Sequence, residues 1–489
     1  MNILVQALAF FYTSKNDEDV LSNGKPISDP DAPIDKSKLL ERRKKCIGST
    51  CQIFYAENPL VVSRATKQYI YDEGGNQLLD CISNVQHVGH CHPTVVGQIA
   101  EQMSRSNCNI RFVSSKLTDC AEAILSTLPP ALDTVLFCNS GSEANDLALR
   151  LARDFTGNED VVVLEHAYHG HLISTMQISP YKFDHGSTIE QPGWVHVAPT
   201  PDPYRGKIRL SDEQLYDANA RQSNAELYAK AVGEICDAEI STRRPAAFIA
   251  EALQSCGGQI LPTPGYFKNV ADEIRRRGGV MIIDEVQTAF GRVGERFWAH
   301  QLDDDNLESP PSAPFVPDIL TIGKPIGNGF PISAVVTRRE IADRLGGKVG
   351  YFNTYGGNPV ACAAVLAVLN VLREERLVEH AREMGQRFKA ALHELKDKHE
   401  CIGDVRGVGL FWGIDLVLDR ATREPATQLA LDLCLLLRVE YGVLLNADGP
   451  HTNILKYKPP MCFNADDLAR SVQAIDQALT RLTTTRKTG

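Results

Sequence analysis

The sequence predicts an α/β architecture: a large domain on a mostly parallel sheet, with a smaller α/β domain toward the C-terminus. Two observations carry this reading. From about residue 66, short apolar runs alternate with longer stretches of helical periodicity, the pattern of strands covered on both faces by helices. The chemically distinctive residues also fall just after the carboxyl ends of those runs, the edge where open parallel sheets bind ligands.

Thr134–Cys138 reads as a strand and 142–155 as the helix that follows it. Further buried strands are expected at Val161–Leu164, 246–250, 280–283 and Ile319–Ile322, each short, β-branched and bounded by polar or glycine residues. Beyond residue 324 the pattern changes. Segments 360–372 and 377–395 have long helical periodicity, and 404–415 reads as one strand punctuated by glycine. The expected organisation is a loose leader over 1–44, a segment over 45–95 that joins the small domain and the site, a large domain over 96–347 and a small one over 348–489. The acidic, proline-rich 303–314 reads as a surface loop.

With 489 residues the chain can bury a large core. Apolar residues make up 43 % and charged residues 23 %, as in ordinary globular enzymes. A net charge of −10 argues against nonspecific nucleic-acid binding. No apolar run approaches the roughly 20 residues of a membrane span. The 13 cysteines are scattered without a C-x-x-C pair, which favours a reducing compartment. The apolar stretch 3–12 lacks a basic flank and is followed by acids, so neither a signal nor a transit peptide is expected.

Two strand ends dominate the chemistry. Asp284 ends Gly279-Val-Met-Ile-Ile-Asp284, and Lys324, forty residues later, ends Asp318-Ile-Leu-Thr-Ile-Gly-Lys324. A strand-end aspartate with a later strand-end lysine suits pyridoxal phosphate. The lysine forms the Schiff base, and the aspartate keeps the pyridine nitrogen protonated. Between Thr134–Cys138 and its helix lies Asn139-Ser-Gly-Ser-Glu-Ala-Asn145. Ser140 and Glu143 have capping-box spacing, and the helix start at Gly141 and Ser142 offers N–H groups to a phosphate. Taken alone this is only a well-capped helix; beside Lys324 it reads as a phosphate cup. Tyr168 in His166-Ala-Tyr-His-Gly170 could stack on a ring or simply pack. No G-x-x-x-x-G-K-[ST] loop or early G-x-G-x-x-G is present, which sets aside P-loop and nicotinamide chemistry. His87, His90 and His92 lack a matching ligand cluster, so no metal is expected.

Together, Gly89-His-Cys-His-Pro93, Asn139-Ser-Gly-Ser-Glu-Ala-Asn145, Tyr168-His-Gly170, Asp284-Glu-Val-Gln287, Gly323-Lys324 and Thr354-Tyr-Gly-Gly-Asn-Pro359 resemble the class III (ω-amino acid) aminotransferases over roughly 45–480. The resemblance implies fold type I and pyridoxal 5'-phosphate. It makes Lys324 the Schiff-base lysine and proton carrier and Asp284 the partner of the pyridine nitrogen. It puts Gln287 on the ring hydroxyl, Tyr168 over the ring, and Gly141 and Ser142 on the phosphate. Thr354 would reach that phosphate from a neighbouring subunit, which implies a homodimer or a tetramer built from it. Cys81-Ile-Ser-Asn-Val-Gln-His, Ile178-Ser-Pro-Tyr-Lys-Phe183 and Ile454-Leu-Lys-Tyr-Lys-Pro-Pro-Met-Cys-Phe463 are similar to the alanine–glyoxylate aminotransferase 2-like group. That group includes ethanolamine-phosphate and 5-phosphohydroxy-lysine phospho-lyases. It also implies a mitochondrial matrix location, with cytosol as the alternative.

Many transaminases of this kind carry an arginine three residues before the Pro-Pro pair, a bidentate clamp for an α-carboxylate. This chain has Lys456 there, a point charge better matched to phosphate; its other reading is a strand-flanking lysine. The expected function is therefore phosphate elimination from a phosphorylated amine, ethanolamine phosphate ahead of phosphohydroxylysine. The alternatives are a transaminase and a catalytically silent cofactor-binding dimer. Ala289, Phe330 and Gln86 depart from the group's usual residues and mark where substrate preference can have moved.

Overall fold

The computed structural model describes residues 34–211, 213–304, 314–345 and 350–488. Most of the expected leader, most of the 303–314 loop and the boundary placed at 347/348 therefore lie outside the described residues. Two compact units are present, one holding residues up to 63 with 73–75, the other 64–72 with 76–489.

In the first unit the leader is not loose throughout: Lys36–Cys46 is an α-helix. Asp35 caps it by accepting from the Lys38 amide at 3.0 Å. Arg43, Lys44 and Lys45 occupy its last turn, where the exposed carbonyls favour positive charge. The helix buries none of its residues, so it lacks the apolar stripe by which periodicity reveals a helix.

The second unit is built on a seven-stranded sheet. Its strands run in the order Thr134–Cys138, Ser333–Thr337, Ile319–Ile322, Val280–Glu285, Ala247–Glu251, Val161–Leu164, Val195–Ala198. Ser333–Thr337 is antiparallel to both its neighbours, and the remaining pairings are parallel. All these strands come from within 96–347. The five expected strands are present, with 246–250 displaced by one residue and 280–283 extended to Glu285. Ile319–Ile322, Val161–Leu164 and Val280–Glu285 are buried at every position, because helices cover both faces.

Gly141–Thr156 follows the Thr134–Cys138 strand. It buries Ala144, Leu147, Ala148, Leu151 and Ala152, one face at 3.6 periodicity. Gly157 ends it in the left-handed region at φ 70°, as a C-terminal cap requires. Leu151→Ala would cost about 2–5 kcal/mol by opening a cavity against the sheet.

The single strand expected over 404–415 is a hairpin, Ile402–Val408 antiparallel to Phe411–Asp419. Gly409 makes its turn at φ 53°, with the Arg292–Val293 backbone where a Cβ would sit, as close as 2.4 Å. The glycines read as punctuation within one strand are the turn between two. Ile454–Tyr457 pairs with Phe411–Asp419, and Asn446–Asp448 with Ile454–Tyr457, so this second sheet draws its strands from within 348–489. Val443–Leu444 runs parallel to Gln77–Asp80, which ties that strand to the C-terminal part of the same unit.

Candidate active site

The parallel register sets the centre of the site. Glu251, Asp284 and Thr321 are paired across three neighbouring strands, so the three side chains share one face of the sheet at its carboxyl edge. A cavity of about 300 Å³ opens there, lined among others by Ser140, Gly141, Ser142, Tyr168, Glu251, Asp284, Gln287 and Lys324. These come from five separate strand ends. His166 is the exception among the strand-end residues: at φ 61° it turns aside to put Nδ1 2.6 Å from Asp184 Oδ2.

Asp284 is buried and held on both oxygens. Oδ2 accepts from Asn145 Nδ2 at 2.7 Å and lies 2.8 Å from His169 Nδ1, while Oδ1 accepts from the Val286 amide at 2.9 Å. Asn145 is itself fixed, since its Oδ1 accepts from Thr321 Oγ1 at 2.7 Å and its Nδ2 also donates to the His169 carbonyl. A buried carboxylate with three hydrogen-bond partners cannot rotate. Asn145 and His169 were present in the sequence motifs, but no spacing rule assigned them this duty.

The helix start is tight by design of its glycines. A Cβ on Gly141 would come within 2.6 Å of Val286 Cγ1, and one on Gly170 within 2.6 Å of Ser142 Oγ. Ser140 accepts from the Glu143 amide at 3.2 Å. Glu143 does not close the expected capping box; it reaches one residue further back, to the Asn139 amide at 2.6 Å. The helix N-terminus thus stays open toward the cavity, as an anion requires.

Gln287 is oriented by two donors, Lys458 Nζ at 2.7 Å and Asn84 Nδ2 at 3.1 Å, both on Oε1. The amide N–H group is what it has left for a ligand oxygen. Glu251 accepts from the Tyr168 and Ser255 amides at 3.2 and 3.0 Å. Burial, then the neighbouring Asp284 charge, raises its carboxyl to about 7. Tyr168 packs edge-on to Tyr181, ring centroids 6.0 Å apart.

Gly141, Ser142, Tyr168, Asp284, Gln287 and Lys324 are thus brought together. Thr354 is exposed and Lys456 buried, and neither lines this cavity. Lys456 is ion-paired with Asp448, which also accepts from Tyr181 Oη at 2.9 Å. Phe330 lines the cavity. Gln86 stands behind it, where a Cβ on Gly329 would lie 2.7 Å from Gln86 Nε2. His87, His90 and His92 each have a separate partner: the Phe290 carbonyl, Asp80 and Glu375.

The residues fit pyridoxal phosphate on chemistry and space. An oriented buried carboxylate lining the cavity suits a pyridinium N–H, a glycine-lined helix start suits a phosphate, and a lysine and an aromatic ring share the cavity. No arginine is among the described residues that line it.

The model of the aminotransferase class-III family matches residues 54–479. The chain is 60 % identical to ethanolamine-phosphate phospho-lyase homolog 1 of Caenorhabditis elegans, over 98 % of this chain and 99 % of that protein. It is 47 % identical to the alanine–glyoxylate aminotransferase 2-like protein of Drosophila melanogaster, over 91 % and 88 %. Among solved structures, a phospholyase from Arthrobacter in complex with phosphoethanolamine superposes with a TM-score of 0.81 at 34 % identity. That match covers 90 % of this chain and 99 % of the other.

Proposed function

The chain belongs to the class III aminotransferase family and is an enzyme, and from that premise we propose that it is a pyridoxal-phosphate-dependent phospho-lyase acting on a small phosphorylated amine, with ethanolamine phosphate as first choice. The observation that carries this is the wall beside Gln287. Two buried lysines stand behind it, Lys456 in the strand Ile454–Tyr457 and Lys458 just past its end, the latter donating to Gln287, and no arginine is among the described residues that line the cavity. The relatives named for phosphoethanolamine and its phospho-lyase support the same choice.

Pyridoxal phosphate, when bound, supplies a ring that withdraws electrons from the carbon bearing the substrate's amine. The chain's residues do the rest. Asp284, immobilised by Asn145, His169 and the Val286 amide, keeps a proton on the ring nitrogen and so keeps the ring electron-poor. Gly141 and Ser142 would hold the cofactor's phosphate, Gln287 would donate to its ring oxygen, and Tyr168 would pack against the ring. Lys324 Nζ takes the proton from the amine-bearing carbon. The electron pair then moves to expel phosphate from the adjacent carbon. Ethanolamine phosphate and one water become acetaldehyde, ammonia and inorganic phosphate.

Thr354, exposed together with Phe352 and Tyr355, completes the phosphate cup of a second copy, which makes the working form a homodimer. Relatives at 37 % and 32 % identity are named mitochondrial, and a mitochondrial location is our reading for this chain. All 13 cysteines are free, as a reducing compartment requires.

The deciding experiment gives cofactor-loaded protein ethanolamine phosphate with no keto acid present. Phosphate and ammonia released in equal amounts establish the lyase. No release, but amine transfer once pyruvate or glyoxylate is added, makes it a transaminase.

A further inference from the structure

Lys456 and Lys458 are two residues apart on one strand end and project to the same side, yet their electrostatic situations are opposite. Lys456 is ion-paired with Asp448; burial opposes its charge, but Asp448 outweighs burial and holds its pKa above the usual lysine value. Lys458 is 95 % buried by the same measure that leaves 5 % exposed, and no carboxylate lies within ion-pair distance of it among the described residues. Its Nζ donates to Ser255 Oγ and to Gln287 Oε1, each at 2.7 Å. Burial, then the positive charge of Lys456 and more weakly that of Lys324, pulls its pKa well below the usual value.

The charged and titratable groups facing Lys458 are Lys456, Cys256, Lys324 and Asp448. Cys256 offers no counter-charge, because desolvation raises its thiol to about 11. Asp448 is already bound to Lys456 and Tyr181. A buried amine without an anion is costly to keep, and such local violations are expected where a ligand supplies what is missing.

We propose that Lys458, with Ser255, forms the subsite that meets the phosphate of the substrate, one side chain in from the cavity behind Gln287, which lines it. The inference rests on the phosphorylated-amine reading above. As a neutral amine, Lys458 has both N–H groups engaged. Protonation adds a third, directed at the incoming anion, so phosphate binding takes up one proton at Nζ. A phosphate favours this because an ammonium is a compact charge with rotatable donors, whereas a planar carboxylate is better met by an arginine fork. Lys456 sets the field of the wall while its own charge stays with Asp448.

The test compares wild-type holoenzyme with Lys458→Met and Lys458→Gln, using ethanolamine phosphate as substrate and inorganic phosphate as competing probe. Both variants should raise KM about 30- to 100-fold and lose competitive inhibition by phosphate, while the visible band of the bound cofactor stays in place. An unchanged KM and unchanged phosphate inhibition would overturn the subsite. A shifted cofactor band with KM unchanged would also overturn it, since Lys458 would then act only by positioning Gln287. Failure of both variants to fold would make the lysine structural and reject the proposal. If wild-type enzyme releases no phosphate at all, the functional reading fails instead.

Discussion

The two walls of the cavity are built on different principles. On the cofactor wall the central carboxylate already has its partners: Asp284 is held by Asn145, His169 and the Val286 amide, and Asn145 in turn by Thr321. On the substrate wall a buried lysine, Lys458, has two neutral partners and no anion. A carboxylate already fixed in place is preorganised for a group that stays through every turnover. A buried amine without an anion is arranged for one that comes and goes.

This contrast is broken most forcefully from the cofactor side. Lys324→Ala should lower turnover by about 10⁴-fold, since Lys324 is the only lysine among the described residues that line the cavity. Phosphate release measured under saturating cofactor checks it. Asp284→Ala should lower turnover by about 10²–10³-fold and weaken cofactor binding. Asn145→Ala, which leaves the carboxylate in place but removes one of the two partners of Oδ2, should weaken cofactor affinity by about 10- to 100-fold. Cofactor titration followed by its visible band measures both. An Asn145→Ala protein with unchanged affinity would show that the hydrogen-bonded row is dispensable.

The substrate wall should respond differently. Lys456→Ala leaves Asp448 buried with Tyr181 and the Gly449 amide but no cation, so the main expected effect is on folding, a loss of about 3 kcal/mol, with a KM increase smaller than that of Lys458→Met. Thermal melting beside steady-state kinetics separates the two. A large KM increase without loss of stability would return the substrate role to Lys456.

The same contrast explains what could be read before any coordinates. The strand ends were legible because buried parallel strands are short, β-branched and abruptly ended, and Asp284, Lys324, Gly141, Ser142, Tyr168 and Gln287 follow such ends directly. Strand Ser333–Thr337 was missed: it carries no distinctive residue at its end and enters the sheet antiparallel. The hairpin at Gly409 was merged into one strand because glycine also occurs inside strands. Asn145 and His169 sit in recognised motifs, but their shared partner Asp284 lies more than a hundred residues away in sequence, a distance no local pattern spans. Lys458 was the accessible omission. Lys456 had been singled out, and alternation along a strand places the residue two positions on at its side.

Glu251 sits at the junction of the two walls, beside Asp284 in register and bonded to the Ser255 amide, and its pH signature should be the smallest effect. Burial and the Asp284 charge raise its carboxyl to about 7, against about 4.3 in an unfolded chain. Between those values the native state binds more protons than the unfolded one, so stability falls as pH rises through that window and then levels off. Glu251→Gln removes the titration. The stability of the variant relative to wild type should therefore climb from about pH 4.3 to about pH 7, by at most about 4 kcal/mol, and stay flat above. Lys458 has the opposite sign: its pKa is lowered on folding, so the unfolded state holds the extra proton and stability rises with pH toward about 10.4. Apo-protein unfolding curves for wild type, Glu251→Gln and Lys458→Met across this range would resolve the two slopes. A variant curve parallel to wild type in the lower window would show that Glu251 is ionised in the fold, with the Tyr168 and Ser255 amides outweighing its burial.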